Sequence, residues 1–178
     1  VVLVHVEPHG GRDFYEGLTS GWPRGVASAS FSVRAMIIRS YLHADELAVI
    51  ALWVRCGLVK PHNNPRVDIE RKLAVSPELF LVGVLEEELI ATAMVGYEGH
   101  RGWINYLAVA PHLQKSGYGR RLMEHAEELL RARGCPKINL QARTSNEQVI
   151  AFYQRLGFGI DDCVSMGKRL VVDEPYSG

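Results

Sequence analysis

The 178-residue sequence predicts an α/β protein, a single domain built on a mixed, mainly antiparallel sheet with flanking helices. Three observations carry this. Two apolar runs, "LFLVGVL" (79–85) and "LIATAMVGY" (89–97), are joined only by Glu86, Glu87 and Glu88, which is the spacing of an antiparallel hairpin. A third run, "WINYLAVA" (103–110), ends at Pro111 and passes through a glycine-bearing loop into a strongly amphipathic helix pattern. A further strand pattern and a second helix pattern then follow.

Each element has a local reason. "MIIRSY" (36–41) reads as a short strand. "ADELAVIALWVRCG" (44–57) places Leu47, Ile50, Ala51 and Val54 at helical spacing, with Gly57 suited to the C-terminal stop. "LVKPHNNP" (58–65) is loop chemistry, closed by Pro65 and followed by a short helix in "RVDIERKLAV". The helix starting near Gly117 carries a stripe of Leu122, Met123, Ala126, Leu129 and Leu130, with Arg121, Glu124, Glu128 and Arg131 facing water. Gly134 and Pro136 stop it. "KINLQAR" (137–143) reads as a strand, "SNEQVIAFYQRLG" (145–157) as a helix with Ser145 as its N-cap, and "FGIDDCVSMGKRL" as the closing strands. Residues 1–35, rich in Gly, Ser and Pro without a sustained period, read as a flexible or non-native extension. The folded domain is then 36–172, and 173–178 is a C-terminal tail.

Composition narrows the function. Twenty Lys and Arg balance twenty Asp and Glu, so no net field draws the chain to nucleic acid or an anionic membrane, and neither partner is expected. The longest apolar runs are too short to span a bilayer. Cys56, Cys135 and Cys163 are odd in number and lack a CxxC, which fits a reduced, cytoplasmic setting. None of the seven histidines has metal-ligand spacing with another ligand type, so no metal is expected.

The chemical signal lies in "PHLQKSGYGRR" (111–121). A strand, a loop and a helix whose mouth carries glycines is a recipe for phosphate: free N–H groups point outward, the dipole favours an anion, and no Cβ obstructs the approach. Lys115, Arg120 and Arg121 add local positive charge. The stretch lacks the third glycine of a dinucleotide fingerprint and the G-K-[ST] of a P-loop. By itself a G-x-G turn before a helix is also ordinary turn chemistry.

In context, "YLAVAPHLQKSGYGRRLMEHAEELL" resembles the acetyl-coenzyme A motif of the GNAT N-acetyltransferase superfamily, Q/R-x-x-G-x-G/A after a strand ending V-x-P. The motif here is Gln114, Lys115, Ser116, Gly117, Tyr118 and Gly119. "NEQVIAFYQRLGF" is similar to the family's second signature, with Asn146, Tyr153 and the Leu156-Gly157-Phe158 ending in register. The resemblance spans residues 36–170, and the whole domain, including "LWVRCGL" and "HRG", also looks like the small bacterial YpeA-type branch.

That resemblance implies a GNAT fold with a splay between strands four and five, acetyl-CoA as cosubstrate, and acetyl transfer to a primary amine by direct attack in a ternary complex. It implies that the backbone of Leu107, Ala108 and Val109 pairs with the pantetheine arm. Gln114 and the stretch from Lys115 through Arg120 would wrap the pyrophosphate, and Asn146 would hold the arm from the other side. Tyr153 matches the usual general acid, since a phenol of pKa ~10 stays protonated at neutral pH. The plainer reading of Tyr153 is a helix residue packed over the sheet beside Phe152.

The base is where the chain departs from the family. A bacterial relative that acetylates the N-terminal alanine of a ribosomal protein carries a glutamate base on the fifth strand, where this chain has Gln141. Histone-type members carry a carboxylate on the fourth strand, near the position of Trp103. Candidate acceptor-side residues are His62 and Asn63 in "KPHNNP", His100 and Glu98 before the fourth strand, Tyr106 on it, and Gln141. For the loop residues, solvated turn chemistry explains the sequence as well. Deprotonating a lysine of pKa ~10.4 at pH 7 costs about 4–5 kcal/mol, against about 1 kcal/mol for an α-amine near ~7.8, so a low-pKa amine is the easier acceptor. A protein N-terminal or lysine acetyltransferase, and a non-catalytic acyl-CoA-binding sensor, remain alternatives, as do monomer and homodimer.

Overall fold

The computed structural model describes residues 35–177, so the expected N-terminal extension lies outside them apart from Ala35. Five strands form one sheet in chain order: β1 (Ile37–Ser40), β2 (Phe80–Leu85), β3 (Glu88–Tyr97), β4 (Gly102–Val109) and β5 (Ile138–Asn139). The first four pair antiparallel and β5 joins β4 in parallel, which is the mixed, mainly antiparallel sheet predicted. Glu86 and Glu87 make the two-residue β2–β3 turn with φ of 49° and 70°, a geometry that such hairpins usually give to Asn-Gly. β2 and β3 are buried almost throughout because both faces are covered, hence their continuous apolar runs.

Four helices flank the sheet: α1 (Glu46–Arg55), α2 (Pro65–Val75), α3 (Tyr118–Ala132) and α4 (Glu147–Gln154). Both α1 and α3 pack on β3 and β4. α2 begins where the sequence dictates: the Asn64 side chain accepts from the Arg66 N–H at 3.1 Å, and Pro65 occupies the first helical position, where its missing donor is harmless. α3 buries Leu122, Met123, Ala126 and Leu130 of the expected stripe, with Leu129 half-buried.

Four expectations are corrected. In α1, Leu47, Ala51 and Val54 face solvent, and the buried set is Val49, Ile50, Leu52 and Trp53. The helix is apolar nearly all round, so spacing alone does not choose the face. The choice is made by Trp53, whose Nε1 donates to Thr92 Oγ1 on β3 at 2.9 Å in the fully buried interior. The N-cap of α4 is Asn146 rather than Ser145, its Oδ1 accepting from the Val149 N–H at 3.3 Å. β5 covers two residues instead of seven. Finally, residues 158–177 contain no strand. With β5 so short there is no ladder edge for them to join, and Ile160, Val164, Met166 and Leu170 remain exposed. Side chains hold this segment instead: Lys137 to Asp161 at 2.6 Å, Gln141 to Ser165, Arg169 to the His62 carbonyl at 2.9 Å, and Arg71 to both Asp173 oxygens at 2.6 and 2.8 Å.

Two features of β4 set up the site. It pairs with β5 only at Gly102–Ile138 and Trp103–Asn139, so the β4–β5 ladder ends at Trp103; this is the predicted splay. On the β3 side, Tyr106 and Leu107 together stand opposite Ala93, a bulge at which Tyr106 takes a φ of 50°.

Candidate active site

Beyond Val109 the chain turns through Pro111–Leu113 and reaches the mouth of α3. Gln114 Nε2 donates back to the Val109 carbonyl at 3.0 Å, tying the loop to the end of β4. Lys115 (φ 64°) and Gly117 (φ 89°) are both left-handed on either side of Ser116, a curl of the kind that gathers main-chain N–H groups into an anion-binding concavity. Gly117 is the N-cap of α3, and no side chain caps the helix, so the positive end of its dipole stays open. A groove of about 450 Å³ starts here, walled by Leu107 and Val109 of β4, the 114–120 loop and α4.

The two motif glycines serve different ends. A Cβ on Gly117 would meet nothing within 4 Å, so its requirement is the left-handed backbone at the edge of open space. A Cβ on Gly119 would lie 3.3 Å from the Phe152 ring and 3.6 Å from Val109, so this glycine lets α3 close on α4 and β4 while also lining the groove.

Lys115 and Arg120 line the groove, and Arg120 also reaches the Arg155 carbonyl at 3.4 Å. Ser116 is exposed, Tyr118 half-buried, and Ala108 buried opposite Thr92. Asn146 is not in the lining, and its side-chain oxygen accepts the capping bond from Val149. Four residues not singled out in the sequence line the groove instead: Gln148, Val149 and Ala151 of α4, and Arg155 at its C-cap. With Phe152 they follow helical spacing along one face, and that periodicity was the available signal.

Tyr153 sits on the far side of this wall. Its ring is 5.0 Å from that of Phe152 and 5.5 Å from that of Phe158, its hydroxyl is buried without a hydrogen-bond partner, and burial pushes the phenol above its ordinary range. It lines a second cavity of about 820 Å³, with Trp103, Asn139 and Gln141, under residues 158–166. Asn139 Oδ1 is likewise buried without a partner.

The acceptor-side candidates divide. Asn63 and Tyr106 come together: Asn63 Nδ2 donates to Tyr106 Oη at 2.6 Å. A third member, Asp68 of α2, accepts from Tyr106 Oη at 2.5 Å and from Asn63 Nδ2 at 3.3 Å. In the sequence, Asp68 carries no sign beyond being an acid in the first turn of a helix, which the dipole explains by itself. His62 is exposed, with its carbonyl held by Arg169, and Gln141 bonds Ser165. His100 lies in the β3–β4 turn beside Arg101, where Tyr97 Oη contacts Gly134 past the end of α3, at the opposite end of β4 from Tyr106. Among the described residues no group of three or more His, Cys, Asp or Glu could hold a metal, and no helix is long and apolar enough to cross a membrane.

Fold and site together define a class, that of mixed-sheet α/β proteins with a groove at a splayed central strand and an uncapped helix at its mouth. The sequence model of the Acetyltransferase (GNAT) family matches residues 40–158, and the chain belongs to that family. It is 45% identical over 141 residues to an acetyltransferase of Pectobacterium atrosepticum, covering 79% of this chain and 100% of the relative. The ribosomal-protein-S18-alanine N-acetyltransferase of Escherichia coli shares the fold at a TM-score of 0.60 and 24% identity, over 70% of this chain and 78% of that one. An aminoglycoside N-acetyltransferase solved with CoA does so at a TM-score of 0.61 and 16% identity, over 77% and 96% of the two chains.

Proposed function

We propose that the protein transfers the acetyl group of acetyl-CoA to a primary amine by direct attack in a ternary complex. The observation that carries this is the groove itself, whose mouth is the uncapped N-terminus of α3 and whose wall is the strand edge that β5 leaves free. The open dipole, Lys115 and Arg120 suit a pyrophosphate, and the strand edge at Leu107 and Val109, which line the groove, suits the amides of a pantetheine arm. The amine nitrogen forms its bond to the acetyl carbon, the C–S bond breaks, and the thiolate takes up a proton while the amine gives one to solvent; the resemblance assigns that donation to Tyr153 Oη, which would regain its proton from solvent and which the α4 wall here separates from the groove. An ordinary phenol is protonated at neutral pH, the form this step needs, although burial of Tyr153 makes it a weaker donor.

Gln141, two residues past β5 and bonded to Ser165, puts an amide where the resemblance leads one to expect a carboxylate base, which supports an acceptor already neutral at working pH, such as an α-amine. The same feature supports a second reading, an acyl-CoA-binding sensor. Calorimetric titration with acetyl-CoA, followed by thiol release against a panel of small amines and of peptides with free N-termini or lysines at several pH values, tests both. Binding with turnover that favours low-pKa amines is expected. Binding without turnover on any amine would favour the sensor, and no binding at all would overturn both.

A further inference from the structure

Tyr106 holds a left-handed backbone at the bulge, a conformation that a non-glycine residue keeps only where its surroundings over-determine it. The surroundings here do so from three directions. The Tyr106 carbonyl accepts from Thr92 Oγ1 at 3.0 Å, and Thr92 Oγ1 in turn accepts from Trp53 Nε1 at 2.9 Å. The Tyr106 ring stacks on Trp53 with centroids 4.1 Å apart. Its hydroxyl gives its only proton to Asp68 Oδ2 at 2.5 Å and accepts from Asn63 Nδ2 at 2.6 Å. Asn63 is itself fixed, its Oδ1 accepting from the Lys60 N–H at 3.0 Å. A hydroxyl so committed is poorly placed to contact a substrate, yet the next residue, Leu107, lines the groove.

The peptide between them links the two facts. No cis bond occurs among the described residues, and in a trans peptide the carbonyl and the following N–H point in opposite directions. With the Tyr106 carbonyl turned to Thr92, the Leu107 N–H points away from Thr92. We infer that Asp68, together with Asn63, is a positioning residue: acting through Tyr106, it fixes this peptide so that the Leu107 N–H meets and polarises the carbonyl of a thioester bound in the groove. This rests on the acetyl-CoA reading above. A donor aimed in advance at developing negative charge is worth far more than one that must turn to reach it. A carboxylate on α2, with β2 and β3 between it and β4 in the chain, thereby acts on the reaction without touching the substrate.

The test is isotope-edited infrared spectroscopy of acetyl-CoA carrying ¹³C at the carbonyl, bound to the full chain. In the wild type the bound carbonyl band falls below its position in water. Tyr106→Phe and Asp68→Ala should lose about half or more of that shift, while acetyl-CoA affinity changes by less than about threefold. Asp68→Asn, which keeps an oxygen for the Tyr106 hydroxyl, should fall in between. Once an acceptor is in hand, kcat should drop about ten- to hundredfold in the first two variants with little change in KM for acetyl-CoA. A merely structural role would lower melting temperature or affinity and leave the bound band in place, and that result overturns the inference. A wild-type band unshifted on binding also overturns it, leaving the cosubstrate reading intact. A wild type that does not bind acetyl-CoA removes both. Should the alanine variant fail to fold, Asp68→Asn and Asn63→Ser decide.

Discussion

On the groove side of β4 the glycine loop, the uncapped start of α3 and the strand edge beyond the β5 ladder present main chain, with Lys115 and Arg120 beside them. On the α2 side they are side chains that hold one another: Asp68, Asn63 and Tyr106, with Arg71 and Asp173 beyond them. The first arrangement suits a ligand part common to many enzymes, because a backbone amide recognises phosphate whatever the acceptor. The second can be rebuilt by single substitutions and so can differ from one relative to the next. Changes on the groove side should therefore alter binding while the domain stays folded, and changes on the other side should alter rate or stability with binding preserved.

The largest effect belongs to the proposed proton donor, which lines the second cavity and belongs to neither side. Tyr153→Phe should lower kcat by about 100-fold or more with the dissociation constant for acetyl-CoA unchanged, as seen by single-turnover kinetics beside calorimetry. Because burial raises this phenol, it should contribute no alkaline fall in kcat below about pH 10. A rate unaffected by the substitution would remove Tyr153 from the chemistry and return it to the core.

Next come the glycines, which separate ligand access from packing. Gly117→Val should weaken acetyl-CoA binding by about tenfold or more, since it both strains a left-handed residue and places a branched side chain at the loop's open edge. Gly119→Val, whose branched side chain must displace the Phe152 ring, should instead cost about 1–3 kcal/mol of stability in denaturant titration, with a smaller loss of affinity. Equal behaviour in the two variants would erase the distinction drawn between them.

The smallest effect is a pH signature confined to α2. Burial lowers the Lys72 ammonium to about 8, against the opposing pull of Glu78, while its Nζ donates to the Val95 carbonyl and to Ser76. Between that value and the unfolded pKa of ~10.4 the unfolded chain binds more protons than the folded one, so stability should rise with pH across this window. Unfolding curves at stepped pH should show the rise in the wild type and its loss in Lys72→Met. Cys56, raised to about 11 by burial, acts in the opposite sense over the upper part of this window, so a wild-type profile parallel to that of Lys72→Met is the result that would contradict the lowered value.

What the sequence disclosed follows the same division. Gly117, Lys115 and the stripe of α3 were legible because a positive helix end and an amphipathic face each impose residue types at fixed spacing. The β2–β3 hairpin and the order of the sheet were legible for similar reasons. The buried face of α1 was not, since "LAVIALWV" is apolar on every side and the choice depends on a hydrogen bond to Thr92, 39 residues from Trp53. Asp68 was invisible because its meaning arises only when the bulge turns Tyr106 toward α2. Residues 158–170 have strand-like composition, but a strand needs a partner edge, and β5 ends after two residues.

Amide hydrogen exchange on the full chain, with and without saturating acetyl-CoA, tests the central claim most directly. The account predicts slowed exchange at residues 107–109 and 115–120 on adding the ligand, with little change along β1 and β2. Unaltered exchange in both segments, under conditions where calorimetry shows the ligand bound, would mean that acetyl-CoA sits elsewhere and would contradict the account.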